Sequence, residues 1–322
     1  MHVWGRALPR PAERGVAGSI TGHSRILTPR QMSDQPPKTP LTIRDLTSID
    51  DLTQAIEVER EVWGSDDLDL TSLTFAIAAK EAGNLWIGAF DGPKLAGYAF
   101  AFHALENGKP SMHSHMLAVR EQYREYDLGT KLKLTQRERA LTLRLPEITW
   151  TFDPLQSKNA HLNFAKLGVV CDKYKVDFYG ASTSSMLHQN STDRLWVKWP
   201  ISSRRVEERL RGKDNRPEML DALSTIQPLV RFNGEGKPAR SDLAAALAKQ
   251  RVSIEVPSNM GEVEHAHPAL AKEWRQATRW AFTESLKAGF FVAEFCRNVR
   301  GKQGPGVYLL EKGTISEYVP GL

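Results

Sequence analysis

Cysteine is scarce: the 322 residues hold only Cys171 and Cys296. The two are neither closely paired nor spaced like metal ligands, which excludes a disulfide scaffold and a cysteine zinc site. The setting expected from this is a reducing one, the cytoplasm, with both thiols buried. Long apolar runs are missing too. None approaches the ~20 residues that a membrane-spanning helix needs, so no membrane partner is expected. The first forty residues have no apolar stretch of any length, and this excludes a secretory signal. Their arginines (Arg6, Arg10, Arg14, Arg25 and Arg30) stand among Pro, Gly and Ser. They read as a disordered basic arm, or as sequence upstream of a start at Met32, with a linker over residues 35–40. Internal repeats and low-complexity tracts are absent. Neither sign of charge dominates, since 43 Lys and Arg against 38 Asp and Glu leave +5. That balance suits an anionic cofactor without demanding nucleic acid.

What the sequence does contain is a globular pattern, with 41% hydrophobic and 25% charged residues. Leu41 to Leu46 alternates as a strand does. Ser48 with Asp51 predicts a capping box ahead of a helix that runs to Trp63. Thr71 to Ala82 reads as a second helix, stopped at Gly83. Strands are expected at 85–90 and 94–103, joined through Asp91-Gly92-Pro93, and another at 114–119. A charged helix follows over 128–143, then a strand at 147–152, a short helix at 159–167 stopped by Gly168, and strands at 174–179 and 195–199. The order is β-α-α-β-β-β-α-β-α-β-β. Residues 202–252 look like a charged, solvated connector. Beyond it, a strand at 253–256, an amphipathic helix at 268–288 and a hairpin around residues 301–306 form a small C-terminal segment. That segment would pack on the main domain or serve a homodimer.

The informative stretch is Leu117 to Leu132, a strand that enters a tight loop and then opens a helix. Such a junction offers unpaired N–H groups and the positive end of a helix dipole, both suited to a pyrophosphate. Arg120, Arg124, Lys131 and Lys133 would add positive charge. Downstream, Ser157 to Gly168 holds Asn159, Ala160, Phe164, Lys166, Leu167 and Gly168.

These residues resemble two motifs of the GCN5-related N-acetyltransferase (GNAT) superfamily. In the first, Arg124, Asp127 and Gly129 stand where the acyl-CoA-binding loop has Arg or Gln, Gly, and Gly or Ala. In the second, Phe164 stands where many members have a tyrosine that protonates the leaving thiolate, a task that a phenyl ring cannot perform. Asp127 in place of the first glycine is a departure. Aspartate tolerates positive φ, but its carboxylate must point away from phosphate or pair with Arg124 or Lys131. Thr149 to His161, Asp177 to Gly180, Thr192 to Leu195, Trp274-Arg275 and Tyr308 to Glu311 extend the resemblance to one bacterial branch of predicted GNAT acyltransferases. It then covers nearly everything after residue 40.

The resemblance implies an α/β (α+β) fold with a mixed, mostly antiparallel sheet in a GNAT domain over residues 41–201. It implies an N-acyltransferase with acetyl-CoA or succinyl-CoA as donor and a small amine, such as an amino acid, as acceptor, and no metal. Cofactor contacts would come from Leu117, Val119, Arg124, Asp127, Leu128, Gly129, Thr130, Asn159 and Phe164. Candidate bases are His113, His115 and Asp153, with a structural role as the simpler reading of each. Glu57, Glu59 and Glu61 read as a solvated helix face. Arg194 would hold a substrate carboxylate or form a structural ion pair. Two further readings stay open: a degenerate acyl-CoA-binding module with a regulatory role, and a nucleic-acid binder working through the basic arm.

Overall fold

Ser48 opens the chain's first helix as its pattern predicts. Its side chain accepts the N–H of Asp51, and Asp51 accepts the N–H of Ser48 in return. The helix that follows, α1 (Ile49–Trp63), stops at Gly64, which is left-handed at φ 60°. Before it lies β1 (Thr42–Asp45); after it come α2 (Leu73–Glu81) and the meander β2 (Leu85–Asp91), β3 (Lys94–Glu106) and β4 (Lys109–Val119). The computed structural model describes residues 40–64, 69–180, 190–213, 216–301 and 303–319. The arginine-rich arm and the linker expected before residue 40 lie outside them. All the described residues belong to one unit, Gln35–Leu322.

A 3-10 turn (Glu121–Tyr126) leads into α3 (Leu128–Thr142), followed by β5 (Ile148–Phe152), α4 (Ser157–Ala160) running on as a π-helical turn (His161–Leu167), β6 (Val170–Lys175) and β7 (Arg194–Trp199). Two apolar clusters fix the layers. Leu52, Ala55 and Val58 of α1 pack with Trp86, Tyr98 and Phe100 on one face of the sheet. On the other face, Leu128 and Leu132 of α3 pack with Ile87, Ala89 and Ala99. The expected element order is therefore observed. The sixth strand begins four residues earlier than its pattern suggested, because Val170 and Cys171 are the residues it buries.

The stretch 202–250 holds more structure than a connector. It carries α5 (Arg204–Leu210), α6 (Arg216–Thr225), β8 (Pro228–Phe232), β9 (Pro238–Arg240) and α7 (Leu243–Leu247). Its charges misled because they are paired inward: Arg205 and Arg209 both donate to Glu294 at 2.7 Å. After it come β10 (Arg251–Val256), α8 (Met260–Ala266), α9 (Pro268–Lys287), β11 (Phe290–Cys296), β12 (Gly306–Lys312) and α10 (Ile315–Tyr318). One sheet joins both halves, in the order β1-β2-β3-β4-β5-β7-β6-β11-β12-β10-β8-β9. Among the described residues only β4–β5 and β8–β10 are parallel. The fold is thus the mixed, mostly antiparallel α/β type that the sequence led us to expect.

Candidate active site

The site is an opening in this sheet. Parallel β4 and β5 pair only at Met112–Ile148 and His113–Thr149. Beyond these residues β4 continues to Val119 and β5 to Phe152 without further pairing, so the strands part. The register of β4 on β3 explains the bend: Phe100 pairs with Met116 but Ala101 with Ser114. His115 is the extra residue of a bulge, and a bulge turns the strand away from its neighbour. At the end of β4, the Arg120 N–H donates to the Ala96 carbonyl of β3 at 2.9 Å. Successive residues alternate, so Leu117 and Val119 turn their N–H and C=O groups away from β3, into the opening.

The loop after β4 turns on Asp127, which is left-handed at φ 54° and ψ 29°. This is the conformation a glycine would supply. Its carboxylate accepts the Thr130 hydroxyl at 2.7 Å and lies 3.6 Å from the Lys166 ammonium. The expected partners Arg124 and Lys131 are not the ones it takes. No side chain caps α3, so the first N–H groups of Leu128, Gly129 and Thr130 have no helical acceptor. A Cβ built on Gly129 would meet only a Leu117 methyl at 3.7 Å. Packing alone does not ask for glycine there. The bare backbone there would admit a closely approaching group, and the residues present fit a phosphorylated cofactor.

The positive charge at the mouth is less than the sequence suggested. Arg124 and Lys131 are exposed there, but Arg120 pairs with Glu61 of α1. Lys133 is buried, donates to Ser114 Oγ at 2.7 Å and lies 3.7 Å over the Trp150 ring. Burial alone holds its amine well below the ordinary lysine range. Ser114 in turn donates to Gln136 at 2.8 Å. The sequence does carry a signal for this cluster: Lys133 and Gln136 share the buried stripe of α3 with Leu132 and Ala140.

The opposite face carries the other titratable groups. His113 is buried, its Nδ1 sits 2.9 Å from Thr149 Oγ1, and its ring lies 4.6 Å from that of Trp196. Burial first, then the His115 and Lys133 charges, lower its pKa to about 4. His115 is exposed to the opening yet flanked by Phe100 and Phe102. The loss of hydration in that recess lowers its pKa below the ordinary histidine value. Arg194 and Trp196 alternate onto one face of β7, and the Arg194 guanidinium stands 5.2 Å from the Tyr179 ring centre. Burial lowers its pKa first, with Asp153 opposing. His113, His115 and Arg194 thus share one side of the opening.

Three expectations need correction. Asp153 is no available base. It is buried and clamped by Arg275 of α9 through two hydrogen bonds of 2.8 and 2.7 Å. Phe164 is fully buried against Phe152 and Tyr308, so it is a core residue and not a wall of the opening. Glu59 is not on a solvated helix face: it is 2% exposed, accepts the Thr71 N–H, and is pushed up by burial. Asn159 is exposed on α4, while Asn163, one turn on, points inward and accepts from the Trp150 indole at 3.3 Å. Both cysteines are buried thiols, as expected. Among the described residues no group of three or more His, Cys, Asp or Glu could hold a metal, and no helix is long and apolar enough to cross a membrane.

No protein-family model matches the chain, and no curated protein matches it. Solved structures do match. The ribosomal-protein-S18-alanine N-acetyltransferase from Escherichia coli is 16% identical, with a TM-score of 0.41 over 51% of this chain and 95% of its own. The aminoglycoside 6'-acetyltransferase type Ii is 17% identical, with a TM-score of 0.41 over 52% of this chain and 99% of its own. The PaiA N-acetyltransferase from Thermoplasma acidophilum, solved with coenzyme A, is 17% identical, with a TM-score of 0.36 over 50% of this chain and 99% of its own. Each of these matches covers about half of this chain.

Proposed function

We propose that this chain is an N-acyltransferase that moves an acetyl or succinyl group from CoA to the amine of a small molecule, with amino acids the favoured acceptor class. The observation that carries this reading is the parting of β4 from β5, with the backbone of Leu117 and Val119 facing the gap and an uncapped helix start just beyond. Acyl-CoA, when bound, would supply an activated carbonyl carbon. Leu128, Gly129 and Thr130 would hold its diphosphate through backbone N–H groups, helped by Arg124 and Lys131.

The chain's own residues divide the remaining work. The Leu117 and Val119 N–H groups, turned into the opening, would supply donors for developing negative charge on the carbonyl oxygen. His115, neutral at neutral pH and open to solvent, takes a proton from the incoming ammonium directly or through water. His113, neutral and bonded to Thr149, positions its neighbour's surroundings and holds no mobile charge. Arg194, on the same side as the histidines, suits an acceptor carboxylate. With Phe164 buried and without a hydroxyl, the departing sulfur takes its proton from water. A second reading, a binding module without turnover, is favoured by the same Phe164 and by the Asp127–Lys166 pair at the mouth.

Thiol release, with acetyl-CoA and succinyl-CoA each offered against a panel of L- and D-amino acids, tests the proposal. Acceptor-dependent release supports the transferase. CoA binding without release under any acceptor would favour the binding module.

A further inference from the structure

The groove beside the phosphate loop does not end with the acyltransferase half. A cavity of about 430 Å³ begins at Thr130 and Leu134 of α3 and at Ala165 and Lys166 of the π-helical turn. Its far wall comes from the second half of the chain, through Arg209, Lys213 and Arg297. Among the described residues no carboxylate lines it, whereas its basic side chains also include His161. The volume lies at the low end of ligand pockets, which run from about 300 to 1,000 Å³. It suits one part of a long cofactor and not all of one.

Two observations point to an anion here. Arg209 is more than nine-tenths buried at its side chain; a second nitrogen reaches the Lys213 carbonyl at 3.5 Å, and its Nε, like Glu294 Oε2, has no hydrogen-bond partner among the described residues. A buried donor left unmade is costly. Its terminal nitrogen does bond Glu294, but Glu294 is shared with Arg205, so one carboxylate faces two guanidinium groups. Lys213, exposed, reaches Glu208 at 3.3 Å on its outer side. Among the described residues the wall thus carries more basic than acidic side chains, beside an apolar floor that includes Leu134 and Phe295.

We infer that this cavity takes the nucleotide end of acyl-CoA, and that Arg209, Lys213 and Arg297 recognise its 3'-phosphate. The inference rests on the acyl-CoA reading and goes further: the second half of the chain becomes part of the cofactor site. A phosphate monoester carries close to two negative charges at neutral pH and three strong acceptors. Arginine forks and a mobile lysine match it, and an apolar floor suits a purine ring. The donor is then selected at its far end, away from the acyl group, by residues that an isolated residue 41–201 domain would lack.

Calorimetry on the full chain with CoA and with dephospho-CoA, which differ only in that phosphate, tests the inference. The wild type should bind CoA at least about tenfold more tightly at low salt, the scale of one charge-assisted contact. Lys213→Ala and Arg297→Ala should each cut that ratio about threefold or more and leave the dephospho-CoA affinity unchanged, with melting curves checking that both variants fold. Equal affinity of the wild type for the two ligands would overturn the inference and leave the acyl-CoA reading standing. A ratio that survives in the double variant would overturn it as well. Binding of neither ligand by the wild type would remove the acyl-CoA reading and the inference together.

Discussion

Two carboxylates flank the opening, and they differ in kind. Asp153, at the end of β5, forms a bidentate pair with Arg275 in which the side chains are 7% and 4% exposed. Asp127, at the start of α3, faces Lys166 across 3.6 Å with side chains 58% and 51% exposed. The first pair ties the end of β5 to α9 and cannot open without leaving a buried charge. The second lies in water, where such a pair is worth little and gives way readily to a competing anion. Sequence position near a site is therefore no guide to role: the carboxylate that resembled a base is a rivet, and the one that resembled an obstacle is displaceable.

This contrast can be broken or sharpened by substitution, beginning with the rivet. Asp153→Ala should cost about 3–5 kcal/mol of stability, since it strands a buried guanidinium; denaturant unfolding measures it. Lost turnover at unchanged stability would instead return Asp153 to the chemistry. At the phosphate loop, Gly129→Val should abolish CoA binding in calorimetry while the melting temperature stays within a few degrees. Arg124→Ala should weaken CoA binding by about 1–3 kcal/mol, and an unchanged affinity would misplace the diphosphate.

On the histidine face the effect is one of pH. The neutral form of His115 is the base and its pKa lies below the usual ~6.5. At an acceptor concentration corrected for its own ionisation, kcat should fall only as pH drops below that value. His115→Ala should lower kcat and remove this acid limb. The smallest effect is expected at the displaceable pair. Asp127→Asn should tighten CoA binding by about 1 kcal/mol or less, and the gain should fade with added salt.

The fold was readable because α1 carries a regular apolar stripe, β2 and β3 are apolar runs, and the boundaries carry Ser48, Gly83, Gly92 and Gly168. The left-handed turn before α3 was readable for a related reason, because such a position needs a residue type such as Asp127. The inward-facing charges were not readable. Lys133, Glu59, Arg205 and Arg209 look solvated in one dimension. They are buried because partners remote in sequence receive them: Ser114, the Thr71 backbone and Glu294. The clamp on Asp153 comes from a helix more than a hundred residues away. The bulge at His115 was hidden as well, since it depends on the register of β3 and not on the local pattern of β4.

Hydrogen–deuterium exchange of the full chain with and without acetyl-CoA tests most directly the claim that the β4–β5 opening and the start of α3 form the acyl-CoA site. Protection is expected at Leu117, Val119 and residues 127–130. Tight binding with protection elsewhere and none in these segments would contradict it.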